Sequence, residues 1–256
     1  MALLSYILTG AIVGFTVGLT GVGGGSLMTP ILLALGVPLH TAVGTDLLFA
    51  AITKSSGAMA HSRQRTVRWP LVLSLASGSI PATLATILVL RYLFDSPDEY
   101  AGVITTTLGL CLILTSVAIV FKGKLAALAA GKRLVSERRI QAFTPLMGAM
   151  LGVLVTLSSV GAGAIGTALL LILFPRLGTT EVIGTGIACA VPLTLVAGLG
   201  HIYLGNVDFG LLLALLAGSV PSIAIGARLG KRAPEEFIRP LLATMLCGVG
   251  IKFVFF

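Results

Sequence analysis

Charge is what this 256-residue chain has least of. Lys, Arg, Asp and Glu together make up 10% of it, against about a quarter in soluble globular domains. Hydrophobic residues make up 56% and the mean hydropathy is +1.07. Such a chain cannot cover itself with a solvated surface, so it reads as an all-α polytopic membrane protein. Acidic groups are the scarcer sign, 9 against 17 basic ones, for a net charge of +8. In a soluble chain that excess would point to nucleic acid. Here the basic residues fall between apolar runs, with no aromatic-rich basic surface beside them, so the expected partner is the lipid bilayer and not nucleic acid. The three cysteines, Cys111, Cys189 and Cys247, lie inside apolar runs without metal-ligand spacing. They read as small buried hydrophobes, and neither metal nor cofactor is expected. No HExxH, no G-x-x-x-x-G-K and no supported Ser/His/Asp order occurs, so enzyme chemistry is not expected. GVGGG at 21–25 fails as a dinucleotide fingerprint, because Ser26 holds its last position. The start, MALLSYILTGAIVGF, lacks a basic n-region and is not expected to be a cleaved signal.

What is present is a set of apolar runs, at about 3–20, 25–36, 42–60, 70–91 and 100–121, then at about 143–158, 163–174, 182–203, 208–229 and 237–256. This divides the chain into a first transmembrane repeat (1–121), a basic linker (122–142) and a second repeat (143–256). The halves match at a fixed offset of 140 positions: VGTDL at 43–47 with IGTGI at 183–187, His61 with His201, Val67 with Val207, and GSIP at 78–81 with GSVP at 218–221. Near the start of each half the offset is 138, pairing Gly14 with Gly152, Gly23 with Gly161 and Gly25 with Gly163.

Arg63, Arg65 and Arg68 place the 62–69 loop in the cytoplasm, whereas Asp95, Asp98 and Glu99 suit the outside. The stretch 122–139, with six Lys and Arg, is cytoplasmic. In the second half the signs swap: 203–208 has no Lys or Arg, and 230–239 has Lys231, Arg232 and Arg239. Equivalent loops on opposite faces give two inverted-topology repeats of about five helical segments each, in a bacterial-type inner membrane with both termini outward. The second segment of each half is short and follows a break, at Gly21, Gly23, Gly24 and Gly25 in one and at Ser158, Ser159, Gly161, Ala162 and Gly163 in the other. Short or broken helices at matching positions point to a site near the midplane, where helix N-termini aim amides at an anion. Gly10, Gly14 and Gly18, and Gly148 and Gly152, recur every four residues and read as helix-packing faces.

The third segment carries two charges at membrane depth, Asp46 and Lys54. Eight residues separate them, about 12 Å along a helix and about 80° around it, too far for a surface pair. Water, a partner helix or a substrate must lie between or beside them, and a buried amine is the natural counter-charge for an anion. The expected substrate-binding set is Lys54, Thr45, Asp46, Gly23, Gly24, Gly25, Ser159, Gly161, Gly163 and Thr185, with Asp46 the candidate for a coupling proton. In the second half Gly186 replaces Asp46 and Thr194 replaces Lys54, so the charge is one-sided.

The glycine series from Gly10 to Gly25, AVGTDL at 42–47, and A-G-x-G-H-x-x-x-G-N-V-D from Ala197 to Asp208 resemble the TauE/SafE family, the sulfite exporter or toluene-sulfonate uptake permeases. The resemblance covers nearly the whole chain. It implies a secondary transporter of small sulfur-containing anions, such as sulfite, thiosulfate or organosulfonates, working by alternating access without ATP. The alternatives are a passive anion channel, and a cation or metal carrier using Asp46, His61 and His201.

Overall fold

A computed structural model describes residues 2–20, 25–130, 137–174, 177–230 and 235–255, and among them the chain forms ten helices and no strand. In the first half these are α1 (Ala2–Thr20), α2 (Gly25–Ala34), α3 (Leu39–Arg63), α4 (Trp69–Tyr92) and α5 (Ala101–Ala130). The second half gives α6 (Glu137–Ser158), α7 (Ala164–Leu173), α8 (Thr179–Tyr203), α9 (Phe209–Gly230) and α10 (Glu235–Phe255). The fifth and sixth helices reach into the stretch 122–142, since α5 continues to Ala130 and α6 opens at Glu137.

Local signals set the helix ends. Pro38 caps α3 in an extended conformation, and Pro70 sits in the first turn of α4, where a missing N–H costs nothing. The turns that end α3 and α8 close alike. Arg65 (φ 56°) and Gly205 (φ 75°) adopt the left-handed region, and the amides of Thr66 and Asn206 return to the carbonyls of His61 (3.1 Å) and His201 (2.9 Å).

Four helices are long and apolar enough to cross a membrane among the described residues: α4, α8, α5 over Ala101–Phe121 and α9 over Phe209–Leu229. With ten helices and no strand among the described residues, they make this a polytopic membrane protein. The equally long α3 falls outside that set and lies inside the bundle, buried without interruption from Ala42 to Ala51 and again at Lys54. Its apolar side chains divide between two cores. Leu48 and Phe49 join Met28, Leu32, Leu112 and Leu215, whereas Val43 and Leu47 join Ile104, Val155 and Leu193.

Four main helix pairings join the two halves: α1 with α9, α4 with α6, α5 with α10, and α3 with α8. Exchanging the halves maps this set onto itself. The glycine rows carry the closest approaches, because lipid offers no hydrophobic gain and backbones must come near for dispersion to hold helices together. A Cβ on Gly14 would stand 2.7 Å from the Ser219 backbone, and one on Gly152 would stand 2.5 Å from that of Ser79. Gly78 and Gly218 abut the carbonyls of Pro145 and Ile7 in the same manner. The repeated GSIP and GSVP thus mark where each fourth helix of a half receives the first helix of the other.

Gly78→Val drives a branched side chain into the Pro145 carbonyl. We expect a loss of about 1–3 kcal/mol, read as a lower melting temperature of the detergent-solubilised protein. Gly102→Ala, at a helical glycine with open space around it, should leave the melting temperature unchanged; equal losses would remove close packing as the reason for Gly78.

Candidate functional site

Asp46 is wholly buried in the middle of α3. One of its carboxyl oxygens, Oδ2, accepts a hydrogen bond from the Thr29 hydroxyl of α2 at 2.6 Å. The other, Oδ1, has no partner, and neither does the hydroxyl of Ser159, which is 1% exposed. The Ser159 hydroxyl approaches the Asp46 carboxyl as a donor from the α6–α7 turn without forming a bond of good geometry, and Lys54 acts on it by charge from two turns further along α3. Lys54 is 8% exposed and makes no ion pair with Asp46; among the described residues the one ion pair is Arg68 with Glu181 at 2.8 Å. The structure therefore brings the Ser159 hydroxyl and the Lys54 charge to bear on one buried carboxyl, whose Oδ1 has no well-formed hydrogen bond. Buried polar atoms are almost always bonded, so the unbonded Asp46 and Ser159 atoms make this the candidate site.

The α6–α7 break is built from the sequence upward. Ser158 ends α6 and turns its hydroxyl inward, donating to the Leu154 carbonyl (2.6 Å) and accepting from the Val160 amide (3.1 Å). Ser159 then takes φ 57° and Gly161 φ 103°, both left-handed, the first uncommon for a residue with a side chain. Gly166 is the first amide of α7 with a backbone acceptor, the Gly161 carbonyl at 3.0 Å; those of Ala164 and Ile165 before it have none. Gly163 caps the helix. Free amides at a helix start favour an anion. In the first half α2 begins at Gly25, and Gly21, Gly23 and Gly24 lie outside the described residues.

Thr45 and Thr185 have a second occupation. The Thr45 hydroxyl accepts from the Asp208 amide at 3.2 Å, and the Thr185 hydroxyl from the Arg68 amide at 3.0 Å. Beside them, Gly44 meets the carbonyl of Asn206, and a Cβ on Gly184 would stand 2.9 Å from the Thr66 hydroxyl. Each Gly-Thr pair receives the turn after the third helix of the opposite half. Of the expected set, then, Asp46, Lys54 and Ser159 come together, Gly161 and Gly163 frame the break, and Thr45 and Thr185 fasten the halves.

The residue that sequence reasoning missed is Thr29. Its signal was present: Thr29 and Thr167 stand at the same 138-position offset as the glycines. On the second side the Thr167 methyl fills the place where a Cβ of Gly186 would lie, 2.7 Å away. One threonine thus reaches toward position 46 and its counterpart toward position 186, where there is no carboxyl to meet.

The histidines are engaged elsewhere. His201 Nε2 donates to the Thr156 carbonyl (2.9 Å), and Asn206 bridges His201 Nδ1 (3.4 Å) and the Tyr100 hydroxyl (2.9 Å). His61 Nδ1 pairs with the Thr66 hydroxyl at 2.9 Å. Asp46, His61 and His201 do not converge, and among the described residues no three His, Cys, Asp or Glu side chains gather to hold a metal ion.

The family model described as sulfite exporter TauE/SafE matches residues 6–253. Among curated proteins, the probable membrane transporter protein YjnA of Bacillus subtilis is 35% identical over 253 residues, covering 98% of this chain and 99% of its own. The probable membrane transporter protein YdhB of the same organism is 25% identical over 249 residues, covering 94% and 98%. A probable membrane transporter protein of Haemophilus influenzae is 25% identical over 277 residues, covering 98% and 97%. No solved structure matches the chain.

Removing either fastening hydroxyl leaves a backbone amide without its acceptor. Thr45→Val and Thr185→Val should each cost about 1–3 kcal/mol, seen as a lowered melting temperature, and Thr45→Ser should restore it. A valine variant as stable as the parent would deny these hydroxyls their structural part.

Proposed function

This chain belongs to the TauE/SafE family and is a membrane transporter, and on that premise we propose that its cargo is a small sulfur-containing anion of the sulfite or organosulfonate class. The observation that carries the reading is the Lys54 side chain: buried, without an ion pair, and acting by charge on the Asp46 carboxyl, whose Oδ1 is unbonded. An amine held out of water needs a negative partner. Asp46 lies too far off to pair with it directly, so an anion fills that part. The Ser159 hydroxyl and the free amides heading α7 supply further donors from the opposite half. The name of the matching family supports sulfur oxyanions over other anions of like size.

Carriage would proceed by alternating access between two repeats of inverted topology. The exchange symmetry of the helix pairings supports that arrangement, as do the matching turns after α3 and α8. The loops 62–69, 122–139 and 230–239 would face the cytoplasm, and Asp46 would carry the coupling proton.

The direct test is a thermal-shift panel of sulfite, thiosulfate, sulfate, taurine and sulfoacetate on the purified protein, with Lys54→Ala as control. At least one of these anions should stabilise the parent, and its affinity for Lys54→Ala should fall by about 30-fold or more, the cost of truncating one member of a buried charge pair. Stabilisation that Lys54→Ala retains in full would overturn this site.

A further inference from the structure

The charge count of the site fixes what can travel with the anion. Asp46 and Lys54 sit on one helix, buried, each acting electrostatically on the other without touching. The groups that bear on Asp46 from the packed elements are the hydroxyls of Thr29 on α2 and Ser159 on the α6–α7 turn, both uncharged; Lys54 is the one charge among them. An acid and an amine that share a single proton are neutral together, whichever of the two holds it. With a second proton the pair carries one positive charge, which one monoanion cancels. A monoanion alone would leave the site at −1, a second proton alone at +1, and a dianion with one proton at −1. Each of these isolates a net charge away from water, the costliest condition for a buried group.

Resting on the anion-transport reading above, we infer that the site moves one proton with each monoanion, so that both the empty and the loaded carrier are neutral and transport is electroneutral. The geometry suits this occupant. Asp46 Oδ1, once protonated, is a free donor toward the guest and the Lys54 amine a second. A singly charged sulfonate or bisulfite has three or more oxygens to receive them. The substrate class is therefore narrowed from sulfur oxyanions in general to their monoanions.

The test uses the purified protein in liposomes, with methanesulfonate as a fixed monoanion and sulfate as a fixed dianion. A potassium gradient with valinomycin sets the membrane potential, and a buffer gradient sets the pH difference separately. The expected result is methanesulfonate accumulation that changes about tenfold per unit of pH difference and does not respond to potential. Sulfate should accumulate far less. Asp46→Asn removes the proton site: its loaded form is neutral but its empty form carries the amine charge. Its accumulation should therefore ignore the pH difference and follow the potential, by ~50-fold per ~100 mV for one charge. Parent accumulation that follows the potential, or sulfate carried as well as methanesulfonate, would overturn the inference while leaving the transport reading intact. If neither methanesulfonate nor sulfate moves, the inference falls; if sulfite does not move either, the anion-transport reading falls with it. The parent measurements decide the matter on their own should Asp46→Asn fail to fold.

Discussion

A helix that holds an acid and an amine out of water, on the same strand of backbone and out of reach of one another, cannot face lipid. Most of the architecture follows from that constraint. The α3 helix is as long as its membrane-spanning neighbours but is wrapped by α8, α2, α9, α5 and α6. The interrupted backbone between α6 and α7 lies under the same cover, with Ser158, Ser159 and Val160 at 1% exposure or less. Lipid has no hydrogen bonds to offer such a break, so it survives only where protein encloses it. Charge and broken backbone are thus brought to one place because neither is tolerated elsewhere.

Around that place the chain is nearly its own mirror in pairing. The same Gly-Thr step on α3 and on α8 seats the opposite half's turn, with hydroxyl-to-amide bonds bridging 163 and 117 residues of sequence. The symmetry lapses where chemistry begins. Position 46 is a carboxyl and position 186 a glycine; Thr29 donates to the first, and the Thr167 methyl closes the space at the second. A symmetric scaffold therefore holds a one-sided site.

Much of this was legible in the sequence. The charges of Asp46 and Lys54 stand out against an apolar background because burying them is so costly. Glycines spaced by four announced close helix contacts, and the structure uses Gly14 and Gly152 in that way. α3 and α8 end two residues past His61 and His201, and α2 and α7 start at Gly25 and Ala164, where the glycine series led one to expect short second segments. Less legible was the work of individual hydroxyls. Nothing local in AVGTDL tells whether Thr45 turns toward a guest or toward an amide far along the chain, since that choice is made by which loop arrives. Thr29 was overlooked for the related reason that a lone threonine in an apolar helix is unremarkable until its counterpart at Thr167 is set beside it. The electrostatic pairing of Arg68 with Glu181 likewise joins residues that sequence spacing does not connect.

The interlacing of α1 with α9 and of α4 with α6 bears on how the molecule is born. A ribosome delivers α1 first, yet its glycine face has no partner until most of the second half has been threaded into the bilayer. The same wait falls on α4, whose mate is the next helix but one to emerge. Assembly is therefore late and concerted: the early helices wait in the bilayer for their partners, and the bundle closes only when α9 and then α10 arrive.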